Sequence, residues 1–139
     1  MADIRQVTDT FAVAAQLEAA DMAELKAAGF RHVISNRPDE EAPPDAKAAD
    51  IRKAAEAAGL TYVHAPFVGQ PTPEAVEAAA KASGPTIAYC RSGTRSVTAW
   101  AVSQAKTGSM SADAIVEAAA NAGYNLAALK DALRRLGAR

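Results

Sequence analysis

Thr86-Ile87-Ala88-Tyr89-Cys90-Arg91-Ser92-Gly93-Thr94-Arg95-Ser96 reads as a short apolar strand, a tight loop that opens on the only cysteine of the chain, and the start of a helix. Successive backbone N–H groups in such a loop converge on one point, and the partial positive charge of a helix N-terminus adds to them. The stretch is therefore expected to form an open bowl that cradles an anion, with the Cys90 sulfur at its base and the amides turned inward. A field that holds an anion also favours thiolate over thiol, which makes Cys90 the candidate nucleophile. The bland alternative is a strand-end cysteine that only packs.

Arg95 is the second catalytic candidate. A planar guanidinium folded back over the loop binds two anionic oxygens at once. Arg91 has two open roles: it flanks the mouth and attracts anions, or it pairs with an acid elsewhere and braces the loop. Ser92 and Thr94 contribute N–H groups whatever their side chains do. Gly93 is expected to supply a backbone angle that a side chain would forbid.

The run Cys90-Arg91-Ser92-Gly93-Thr94-Arg95 resembles the active-site loop of rhodanese-type sulfurtransferases and, more loosely, that of cysteine-dependent protein phosphatases. Four residues separate Cys90 from Arg95, one fewer than in the phosphatase pattern. The resemblance thus implies a ring sized for sulfur instead of a tetrahedral phosphate, and Arg91 and Gly93 also match the rhodanese pattern. From the phosphatase side it implies a Ser96 hydroxyl that donates to the Cys90 sulfur.

A longer resemblance rests on three stretches: Asn36-Arg37-Pro38-Asp39-Glu40-Glu41, Ala58-Gly59-Leu60-Thr61-Tyr62-Val63-His64, and Gly84-Pro85 leading into the Cys90 loop. Together they are similar to the phosphatase-like (DUF442-type) domain of the beta-lactamase-hydrolase-like family, over residues 4 to 107. That family's domain also occurs fused to a persulfide dioxygenase. The resemblance implies an α/β fold of the dual-specificity-phosphatase type: three layers, with a mostly parallel central sheet flanked by helices.

At 139 residues and 50% hydrophobic content, the chain is expected to form one domain over 1–139. A domain of this length buries about two-thirds of the surface its unfolded chain exposes. Fifteen basic and 16 acidic side chains give a net charge of −1, so no global field points to nucleic acid or a membrane surface. No apolar run approaches a membrane span, and Met1-Ala2-Asp3-Ile4-Arg5 lacks the character of a signal peptide, so the expected location is cytoplasmic. One cysteine and two separated histidines, His32 and His64, offer no metal site, and the expected chemistry needs no cofactor.

Glycine punctuation divides alternating strands and helices, the mark of a mostly parallel sheet covered on both faces. One or two short strands are expected between Ile4 and Ala15, with further strands at Arg31–Ser35, Thr61–Ala65 and up to Cys90. Helices are expected from Leu17 to Ala28, from an Asp45 cap to Ala58, from Thr72 until Gly84, and from the loop to Lys106. Two more run from Ser109 or Ser111 to Ala122 and from Asn125 to Leu136.

Three functions fit these residues. In the favoured one, a sulfurtransferase moves sulfane sulfur from a small anionic sulfur compound such as thiosulfate, or from a persulfide, through Cys90 to a small thiol acceptor such as glutathione. The second is a cysteine-dependent phosphatase acting on a phosphate ester through a phosphocysteine. It needs an acid to protonate the leaving oxygen. The loop after His64, Ala65-Pro66-Phe67-Val68-Gly69-Gln70-Pro71-Thr72, holds no carboxylate, which leaves Asp39 as the candidate. The third is a non-enzymatic thiol sensor of oxidants or anions.

Overall fold

The computed structural model describes residues 2–139. Among these, five strands form one sheet: β1 (Ile4–Gln6), β2 (Phe11–Ala14), β3 (His32–Ser35), β4 (Thr61–His64) and β5 (Thr86–Tyr89), ordered β1-β2-β5-β3-β4. β1 is antiparallel to β2, and every other pairing is parallel. The helices are α1 (Met22–Ala27), α2 (Ala48–Ala57), α3 (Pro73–Lys81), α4 (Thr94–Thr107), α5 (Ala112–Asn121) and α6 (Lys130–Leu136). The expected three-layer, mostly parallel α/β architecture is the one observed.

Side chains alternate across a strand, so each central strand feeds two cores. Phe11 and Val13 of β2, Ala88 of β5 and Ile34 of β3 face α4, α5 and α6, where Val97, Trp100, Ile115 and Leu133 meet them. Trp100 stacks on Phe11 with ring centroids 6.2 Å apart. Ala12, Ala14, Ile87, Tyr89 and Val33 face the other way, onto Met22 and Leu25 of α1 and Ile51 and Ala55 of α2. Burial on both faces is why β2, and β5 after Thr86, read as apolar runs. On α4, Ala99, Ala101, Ser103 and Ala105 are fully buried, small side chains that let its neighbours approach closely.

Helix starts differ from expectation where a local hydrogen bond competes. The segment after Leu17 begins as a 3-10 turn at Ala19–Asp21, where Glu18 N–H donates to Asp21 Oδ2 at 2.8 Å, so α1 starts only at Met22. Asp45 does not cap α2; Asp39 Oδ1 takes the Ala48 N–H instead, at 2.8 Å. Ser111, not Ser109, caps α5 by accepting from Ala114 N–H at 3.1 Å. Asn125 Oδ1 accepts from Ala127 N–H and opens a 3-10 turn, and α6 follows from Lys130. Thr72 caps α3, with Pro73 in its first turn as expected.

β4 closes one side of the sheet. Thr61 and Ala65 donate inward to Arg31 and Ser35, so the Tyr62 carbonyl between them turns outward, where Arg52 Nη1 donates to it at 3.1 Å. The Arg52 guanidinium also lies 5.1 Å from the Tyr62 ring centroid.

Candidate active site

Parallel strands deliver their C-terminal ends to one side, and short bonds tie those ends together. Cys90 N–H donates to Ala14 O at 3.3 Å, Asn36 N–H to Tyr89 O at 2.8 Å, and Ala65 N–H to Ser35 O at 2.8 Å. The buried Asn36 side chain donates to Ala65 O at 3.0 Å. Cys90 is therefore the first residue beyond a fixed strand end. Tyr89 points to the opposite face, where its hydroxyl lies 2.7 Å from that of Tyr62. Burial pushes both phenols above their ordinary range, so both stay neutral.

Gly93 caps α4 at φ +93°, the left-handed region that favours glycine, and its N–H donates to Cys90 Sγ at 3.1 Å. This inward amide and the helix start behind it are one part of the expected cradle. It is the only backbone amide that bonds the sulfur among the described residues; those of Ser92 and Thr94 do not. The Ser92 and Thr94 hydroxyls bond one another at 3.1 Å on the surface. Ser96 is buried, but its hydroxyl has no hydrogen-bond partner, so the expected bond to sulfur is not formed. Cys90 is 1% exposed. The expectation of an open bowl ringed by inward amides is therefore corrected: Cys90 is buried, and a single amide faces its sulfur.

Arg95 folds back from the first turn of α4, 19% exposed, and meets a carboxylate that sequence reading did not select. Its Nη2 donates to Glu41 Oε1 at 2.6 Å, and its Nη1 to Glu41 Oε2 at 3.3 Å and to Phe67 O at 3.0 Å. A guanidinium has five N–H donors in a rigid fork. These bonds engage the outer end and leave the Nε edge for an anion. Arg37 steadies Glu41 from behind: Nη2 donates to Glu41 O at 2.6 Å, Nη1 to Gln16 Oε1 at 2.8 Å, and Nε lies 3.7 Å from Glu41 Oε1. The Arg95 hydrogen bond, with the charges of Arg95, Arg37 and Arg91, holds the Glu41 carboxyl below the usual carboxylate range. Three guanidiniums thus act on Glu41, within a turn that also carries Asp39 and Glu40. Arg91 itself is exposed.

Asp39 opens the short turn that carries Glu41, but its Oδ1 is engaged by Ala48 N–H at the start of α2. The turn thus presents Glu41, not Asp39, to the loop arginine. His32 bonds Thr61 Oγ1 and Ser83 O, each at 2.6 Å, and His64 bonds Arg37 O at 2.9 Å, which places both as satisfied structural residues. Glu41, the Phe67 carbonyl and Tyr124, whose hydroxyl donates to Ser92 O at 3.0 Å, are the contacts that sequence reading missed. The only advance signal was an acidic run directly after a strand that neighbours β5.

Several solved structures share this architecture. A Neisseria meningitidis protein described as a candidate phosphatase is 31% identical, with a TM-score of 0.77 over 96% of this chain and 97% of that one. Kinase associated phosphatase, 13% identical, has a TM-score of 0.72 over 98% of this chain and 95% of its own, and shows the shared fold alone. The beta-lactamase hydrolase-like protein of Agrobacterium fabrum is 31% identical over 138 residues, 96% of this chain. The chain spans about a third of that relative's length. With residues 3–107 matching the phosphatase-like domain of beta-lactamase hydrolase-like proteins, the chain belongs to that family.

Proposed function

We propose that the 139 residues form one catalytic domain that transfers sulfane sulfur through Cys90. The observation that carries this reading is the lack of a placed acid. Glu41, the carboxylate in contact with Arg95, is held ionised by arginines, and Asp39 is bonded to the start of α2. A leaving alkoxide needs a proton from such a group, whereas leaving sulfite or thiolate does not. The Cys90 thiolate attacks the outer sulfur of thiosulfate, the S–S bond of thiosulfate breaks, and sulfite departs with the bonding pair. A small thiolate such as that of glutathione then attacks the outer sulfur of the Cys90 persulfide, and the Cys90 thiolate leaves. Gly93 N–H and the free Nε edge of Arg95 stabilise the negative charge at each stage.

A second reading, phosphate-ester hydrolysis through a phosphocysteine, is the one the comparisons with solved structures support better. Those comparisons hold nothing specific to sulfur transfer. Intact-mass measurement separates the two. Wild-type protein treated with thiosulfate or glutathione persulfide is expected to gain one sulfur atom, removable by reductant, and Cys90→Ser to gain none. No adduct in wild type, or an equal one in Cys90→Ser, overturns sulfur transfer. A phosphate trapped on Cys90 from an aryl phosphate, with turnover lost in Asp39→Asn, establishes the second reading.

Glu41→Gln is expected to raise KM for thiosulfate roughly three- to tenfold with less change in kcat, because Arg95 loses a charge-assisted partner. The pH dependence has a definite sign. The folded carboxyl is depressed, so the pair is intact above the ordinary glutamate range and is lost as pH falls through the lower folded value. KM in wild type should stay flat down to that range and climb below it, while Glu41→Gln shows no such step. Steady-state kinetics across acid pH checks both.

A further inference from the structure

One peptide unit of the loop is gripped from both sides. Its N–H, that of Gly93, donates to Cys90 Sγ at 3.1 Å, and its carbonyl, that of Ser92, accepts from Tyr124 Oη at 3.0 Å. In a trans peptide these two groups point in opposite directions. Holding the oxygen outward therefore aims the hydrogen inward. We propose that Tyr124 is a positioning residue that locks the Ser92–Gly93 peptide with its N–H on the sulfur.

The fit is close enough to need glycine. A Cβ built at Gly93 lies 2.1 Å from Tyr124 Oη and 2.9 Å from its Cζ, so the ring occupies the space that a side chain would take. Glycine also leaves the peptide free to turn over, which would point the Ser92 oxygen at the sulfur; the Tyr124 bond opposes that rotation. A hydrogen bond to the carbonyl further polarises the same amide and strengthens its N–H as a donor.

Tyr124 is itself anchored. Its N–H donates to Ala119 O at 2.8 Å after Gly123 at φ +98° ends α5, and Arg5 Nη1 reaches the Ala122 carbonyl at 3.5 Å. The grip thus comes from the segment beyond residues 3–107 and is braced by β1. Burial raises the phenol and the nearby Cys90 charge opposes its ionisation, so the hydroxyl keeps its proton and remains a donor.

This inference rests on Cys90 as the nucleophile, and two readouts separate the claims. Tyr124→Phe keeps the ring and removes only the hydroxyl. Its Cys90 is expected to alkylate with a haloacetamide roughly two- to tenfold more slowly at neutral pH, the loss of about one hydrogen bond. Its rate profile should move to higher pH, with the thermal midpoint little changed. Amide hydrogen exchange at Gly93 should be faster in the same variant. An unchanged alkylation profile together with unchanged Gly93 exchange overturns the positioning role. If wild-type Cys90 reacts no faster than a free thiol, the nucleophile reading fails, and Gly93 exchange alone still decides whether Tyr124 holds the peptide.

Discussion

Gly93→Ala is expected to reduce alkylation of Cys90 at least about tenfold and to lower the thermal midpoint. Two effects act together. An L-residue at φ +93° costs on the order of 1–2 kcal/mol, because its Cβ crowds the neighbouring carbonyl. The new methyl also meets the Tyr124 hydroxyl at 2.1 Å, far inside contact distance. Relief of the clash moves either the Tyr124 ring or the loop; the first breaks the bond to Ser92 O and the second turns the amide away from the sulfur. Intact-mass alkylation with a parallel melt measures both consequences. Reactivity equal to wild type in a folded Gly93→Ala chain would show that this amide has no part in activating the sulfur.

Trp100→Ala should have the largest effect on stability, a loss of about 3–5 kcal/mol. Trp100 is 1% exposed and is among the largest fully buried side chains, stacked on Phe11 between the sheet and the helices α4 to α6. A domain of this size has only about 5–15 kcal/mol to lose. The midpoint is therefore expected to fall by roughly 10 °C or more. Urea titration followed by circular dichroism checks the figure, and Trp100→Phe, which keeps an aromatic ring against Phe11, should recover a good part of it. The change also reaches the site, because Trp100 lies on the helix that carries Arg95 and follows Gly93. A loss near 1 kcal/mol would mean that the surrounding alanines collapse into the gap.

The fold was legible in the sequence because its signals are local. Gly29, Gly59, Gly84 and Gly108 all adopt positive φ at the ends of elements, so chain punctuation and topology coincide. The Cys90 loop was legible for the same reason: nucleophile, turn glycine and helix start are contiguous. What escaped notice comes from afar. Glu41 reaches Arg95 across 54 positions and Tyr124 reaches Ser92 across 32, and neither carries a neighbouring motif that announces its destination. Asp39, Glu40 and Glu41 were visible as an acidic run, but which of them meets the loop depends on a 3-10 turn and on the Ala48 N–H that takes Asp39 first. The burial of Cys90 was equally hidden, since it depends on packing between segments far apart in the chain.

The Arg52 contact at the border of the sheet bears on how the chain behaves in a crowd. An unpaired strand flank is a template on which a strand from another copy can add itself and begin an aggregate. By taking the outward Tyr62 carbonyl and laying its charge across the tyrosine ring, Arg52 interrupts that template midway along β4. A strand from another copy would have to displace that guanidinium before it could pair along the middle of β4.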